Sequence, residues 1–102
     1  MSKIKSLNTM EITKSSIEDL LNNLVKPMFD VIVKIEVVSL RLFDGIASEL
    51  YPVIDIIFDK ETYLTIKDTN EFEDKVSREV RLTLRYFNIH NSIVDFYTIS
   101  DI

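Results

Sequence analysis

The chain has no cysteine, no tryptophan, a single glycine, two prolines and a single histidine. Each shortage removes a class of chemistry. Without cysteine there is no disulfide framework, no thiolate nucleophile and no zinc site built on sulfur. With Gly45 as the lone glycine, neither a phosphate-cradling glycine loop nor a nucleophile elbow can be assembled. With His90 as the lone histidine, a multi-histidine metal site cannot form, and Ser92 nearby lacks the glycine pattern that would make it a nucleophile. His90 is therefore read as an ordinary surface or helix-capping residue. No apolar run approaches the ~18 residues that span a bilayer, and "MSKIKSLNTMEITK" lacks the apolar core of a signal peptide. The expectation is a cytoplasmic protein, or one held within a virus particle, with no membrane partner.

What is present fits one small domain. A length of 102 residues suffices to bury a core without metal or disulfides. The chain is 46 % hydrophobic and yet 28 % charged, with a mean hydropathy of +0.09. That apolar content on a small domain leaves apolar surface outside and favours self-association. Twelve basic residues against 17 acidic give a net charge of −5, which argues against a general nucleic-acid binder. From the abundance of Ile, Lys, Asn and Asp the expectation is an origin in an AT-rich genome, such as a phage or a streamlined bacterium.

Residues 1–14 are polar with scattered Ile4, Leu7, Met10 and Ile12, and read as a flexible arm; residues 15–102 read as the domain. Ser15 with Glu18 has capping-box spacing. Ile17, Leu20, Leu21, Leu24, Val25 and Met28 then recur at helical intervals until Pro27 ends or kinks the helix. "DVIVKIEVVSLRLF" alternates as a strand, with Val31, Val33, Ile35 and Val37 on one parity. The parity then switches to Val38, Leu40 and Leu42, which predicts a bulge or bend near residues 37 and 38. "DGIASEL" connects to "YPVIDIIF", whose apolar run predicts burial on both faces apart from Asp55. "TYLTI" reads as a short extended piece.

"KDTNEFEDKVSREVRLTLRYF" is the clearest helix. Asp68 and Glu71 suit its start, and Phe72, Val76, Val80, Thr83, Leu84 and Phe87 line one stripe. The asparagines of "NIHNS" end it, and "SIVDFYTI" alternates as a last strand. The order is helix-strand-strand-helix-strand. The expected fold is α+β, with two helices on one face of a three- or four-stranded, mainly antiparallel sheet.

Six residues stand out as candidate interaction sites: Lys75, Arg78, Arg81, Arg85, Tyr86 and Asp55. The four cations fall within about 120° of helical arc, opposite the apolar stripe. Glu71 and Asp74 each precede a cation by one turn, the spacing of favourable i,i+4 pairs, so Arg81 and Arg85 are expected to be the unpartnered ones. Tyr86 borders the apolar face, where a tyrosine anchors a protein interface more often than it stacks on a base. The other tyrosines, Tyr51, Tyr63 and Tyr97, lie away from the basic stripe. Asp55 interrupts an apolar strand and so needs water, a donor or a partner subunit. Asp55, Asp59 and Glu61 share a parity that an oxygen-seeking cation would accept, but the spacing matches no cation loop, and a solvated strand end accounts for it.

No catalytic constellation or cofactor motif is found, so no cofactor and no enzymatic activity are expected. The leading expectation is a non-catalytic structural or interaction protein, working as a homo-oligomer or with another protein. The alternative is RNA binding. The element order resembles that of some KH-like RNA-binding domains, which grip RNA with a GXXG loop. One glycine cannot supply that loop, so the resemblance is to the order of elements alone.

Overall fold

The structure is a computed structural model and describes residues 12–43 and 49–100. Helix α1 spans Lys14–Leu24, and strand β1 spans Ile32–Phe43. Strand β2 spans Glu49–Asp59, followed by a single helical turn, α2, at Lys60–Tyr63. Helix α3 covers Thr69–Leu84, and strand β3 covers Ile93–Ile99. The order helix-strand-strand-helix-strand is as expected, with the helices packed against a three-stranded sheet of order β1-β2-β3.

The sheet is mixed. β1 and β2 are antiparallel, whereas β2 and β3 are parallel. The parallel pair follows from the connection: α3 carries the chain back across the sheet, so β3 re-enters in the direction of β2. "Mainly antiparallel" therefore holds for one of the two pairings only.

The register gathers the core on one face. Ile35 lies opposite Ile56 and Val37 opposite Ile54, while Ile54 and Ile56 face Val94 and Phe96 on the other side. Ile17 and Leu21 of α1 and Val76, Val80 and Leu84 of α3 close over them, all essentially without solvent exposure. Phe58 anchors the far end. Its ring lies 5.3 Å from Tyr63, 5.6 Å from Phe72 and 5.5 Å from Phe96.

The bulge expected near residues 37 and 38 is present as a register shift between Val37 and Ser39. A second shift lies between Ile32 and Lys34 and turns Val33 out to solvent, away from the parity it shares in sequence with Ile35. β2 is buried on one face only. Ile54, Ile56 and Phe58 are sealed, but Tyr51, Val53, Asp55 and Ile57 lie half-exposed on a face that no described element covers. The run "VIDII" is apolar because the central strand has neighbours on both sides, which shelter even its open face. "TYLTI" is not extended: Asp59 accepts from the Thr62 N–H at 3.0 Å and caps α2 instead.

α1 starts two residues earlier than Ser15 suggests. Thr13 is the cap, accepting from the Ser16 N–H at 3.0 Å, while the Ser16 hydroxyl accepts from the Thr13 N–H at 2.9 Å. Ile12 packs against the core. Residues 1–11 of the expected arm, and Gly45 within 44–48, lie outside the described residues. Pro27 ends the helix as expected, within a 3-10 turn at Lys26–Met28. α3 begins on Asp68, which accepts from the Glu71 N–H at 3.0 Å. It runs into a 3-10 turn at Arg85–Phe87, which ends at Asn88, whose left-handed φ of 58° asparagine tolerates better than most side chains.

Candidate functional site

The two layers leave three surfaces that can engage something else. The first is the open face of the sheet. In its middle, Glu36, Asp55 and Asp95 are register partners across all three strands, forming a transverse row of carboxylates. Lys34 answers Glu36 at 3.8 Å, the only ion pair among the described residues. Burial, then Asp95, then Glu36 push the Asp55 carboxyl above its ordinary value. Rows of apolar side chains flank the acids. Ile57 and Tyr97 are register partners on one side, and Val53 and Ile93 on the other. Tyr97 is 52 % exposed and Ile99 50 %.

The trio Asp55, Asp59 and Glu61 is not brought together. Asp59 is occupied by Thr62, whose hydroxyl donates to it at 2.7 Å, and these bonds hold its carboxyl below the ordinary value. Glu61 sits exposed on α2. Among the described residues no group of three or more potential ligands is placed to hold a metal ion. Glu36 and Asp95 escaped the sequence reading because only the strand register puts them beside Asp55.

The second surface lies on the helical layer. Leu24 and Met28, from the end of α1 and the turn after it, face Glu79, Leu82, Arg85 and Tyr86 across an open cleft of about 510 Å³. Tyr86 is 78 % exposed and is a wall of this cleft, not a border of the core. Lys75, Arg78 and Arg81 are exposed on α3, and Arg85 on the 3-10 turn that continues it. The expected ion pairs of Glu71 with Lys75 and of Asp74 with Arg78 are not closed to 4 Å, so all four cations face solvent. Asp55 lies on the opposite side of the sheet from these cations, so the six sequence candidates form two sites and not one.

The third surface is the rim of the sheet, whose two edges differ. At the β1 edge, Asn22 accepts from the Ile35 N–H at 3.3 Å and donates to the Ile35 carbonyl at 2.9 Å. Glu18 accepts from the Val37 N–H at 2.8 Å, and the Lys14 ammonium reaches the Val38 carbonyl at 3.5 Å. One face of α1 thus occupies the backbone of β1 as a neighbouring strand would. The β3 edge has no such cover among the described residues.

The remaining polar candidates serve structure. The Tyr63 hydroxyl donates to Glu73 at 2.7 Å, and this bond, with burial, pushes the phenol above its ordinary value. His90 lies exposed, 3.0 Å from the Asn88 side-chain oxygen. No family model, no curated protein and no solved structure matches the chain.

Proposed function

We propose that the protein is a non-catalytic interaction protein that acts by self-association, as a homo-oligomer or as a component of a larger assembly. The observation that carries this reading is apolar surface left open on both sides of so small a domain. Leu24, Met28, Leu82 and Tyr86 stand out of the helical layer, and Ile93, Tyr97 and Ile99 stand out of the sheet. Clustered exposure of this kind marks surfaces that a partner covers, whereas single exposed apolar residues mean nothing. The carboxylate row adds selectivity, because it rejects any partner that brings acids to the middle of the face. Light scattering of the purified chain at tens of micromolar tests the reading. A mass above the monomer supports it; a monomer that recovers no partner overturns it.

A second reading rests on the four solvent-facing cations of α3 and the 3-10 turn after it. Lys75, Arg78, Arg81 and Arg85 share a face without acidic partners among the described residues, which suits contact with phosphates. RNA binding by a domain of KH-like element order would then be salt-dependent and would weaken when Arg78, Arg81 and Arg85 become Glu. No mobility shift with mixed RNA at low salt would sink it.

A further inference from the structure

We propose that β3 pairs antiparallel with β3 of a second copy, joining two three-stranded sheets into one continuous sheet. The inference rests on the self-association reading above and gives it a geometry.

The argument starts from the direction of backbone groups. Ile35 and Val37 turn their N–H groups away from β2, toward α1. Their register partners Ile56 and Ile54 therefore turn their own backbone the other way, toward β3. In a parallel pair a residue bonds to the neighbours of its register partner. Ile56 is matched with Phe96, so it bonds Asp95 and Tyr97. The odd-numbered residues of β3 are thus spent on β2. Val94, Phe96 and Thr98 direct their N–H and C=O groups outward.

An exposed row of backbone donors and acceptors is a template for another strand, and folds usually protect it. Here one edge is protected by four side-chain contacts from α1, while β3 carries no charge that would deter pairing except Asp95. β3 is also apolar outside, with Ile93, Tyr97 and Ile99 exposed.

The sequence of β3 suits its own copy. A two-fold axis through Phe96 pairs Phe96 with itself and Val94 with Thr98, using every outward backbone group. It sets Ile93 against Ile99 and Asp95 against Tyr97 on the open face, so that no carboxylate lies opposite another. This is the symmetric register that uses all 7 residues of the strand. Moving the axis to Asp95 would oppose two carboxylates, and moving it to Tyr97 would strand Ile93. On the helical side the two Phe96 rings meet and extend the cluster around Phe58.

Sedimentation equilibrium on the wild type, Thr98→Pro and Leu82→Lys tests the proposal. Thr98 is exposed, and proline there removes one outward N–H from each copy while sparing the bonds to β2. The wild type and Leu82→Lys are expected to be dimers, with Thr98→Pro dissociating roughly tenfold or more easily. A wild type that stays monomeric overturns self-association and this geometry together. A wild-type dimer that survives Thr98→Pro but is broken by Leu82→Lys overturns the β3 pairing and leaves self-association standing. Backbone amide exchange in the wild type guards against a proline variant that does not fold. The amides of Val94, Phe96 and Thr98 are expected to be slow in the dimer and fast on dilution to monomer. Fast exchange in both states would refute the pairing.

Discussion

Replacing Asn22 with alanine removes both side-chain hydrogen bonds to the Ile35 backbone and leaves that residue facing a helix that no longer answers it. Asn22 receives the Ile35 N–H at 3.3 Å and gives to the Ile35 carbonyl at 2.9 Å. Each such bond contributes about 1 kcal/mol net, so the pair contributes about 2 kcal/mol. The 3.3 Å bond is long, which lowers the sum. The site is half-buried, which raises it, because water reaches the freed groups only in part. Alanine also favours the helix by a few tenths of a kcal/mol over asparagine. Asn23→Ala corrects for that gain, since Asn23 is exposed on the same helix and its side chain makes no hydrogen bond to β1. The expected loss for Asn22→Ala, relative to Asn23→Ala, is about 2 kcal/mol in urea unfolding. A second effect should accompany it. The uncovered Ile35 stretch of the β1 edge becomes available to other chains, so Asn22→Ala should aggregate more readily than a core variant of equal stability. A difference below about 0.5 kcal/mol would refute the claim that α1 substitutes for a strand at this edge.

Asp55 has a raised folded pKa, so the stability it lends is complete below its ordinary value of 3.8 and is lost as pH rises through the folded value. Asp55→Asn should therefore stabilise the protein at neutral pH and lose that advantage in acid; equal urea midpoints for both proteins at neutral pH would contradict this. Asp59 has the opposite sign: its carboxyl is held below 3.8 by Thr62, so its contribution is present at neutral pH and lost as acid protonates it. Asp59→Asn should thus narrow the acid sensitivity of thermal unfolding. The Ser39 hydroxyl is buried without a hydrogen-bond partner, so Ser39→Ala should leave thermal stability unchanged or raise it by about 1 kcal/mol, and a clear loss would reveal a hidden partner. Phe58 is fully buried among three rings, so Phe58→Ala should cost about 3–5 kcal/mol in the same urea assay.

Periodicity made the two long helices and the three strands legible, because each buries one face and so repeats its apolar residues at 3.6 or at 2. The inward stripe of α3, with Val76, Val80, Thr83 and Leu84, is buried as its spacing predicts. The Val38 bulge was legible for the same reason: a one-residue slip in alternation has no other cheap cause. Pairing direction and register were not legible, since they depend on contacts between segments that are distant in sequence. That is why Glu36, Asp55 and Asp95 come together unannounced, while Asp55, Asp59 and Glu61, adjacent in sequence, do not. Glu18 shows a second limit. Its spacing from Ser15 suits a local cap, but a better donor, the Val37 N–H, was available from β1.

The covering of the β1 edge also bears on the order in which the chain is made. The residues that occupy this edge, Lys14, Glu18 and Asn22, precede the backbone they bind by 13 to 24 positions. During synthesis α1 therefore emerges before β1, and the outer side of the strand meets its guard before β2 exists to take the inner side. β3 follows both other strands and finds its place beside β2 already formed. The guarded edge is thus the one that would otherwise wait longest beside other nascent chains, and the open edge appears only when the rest of the sheet is complete.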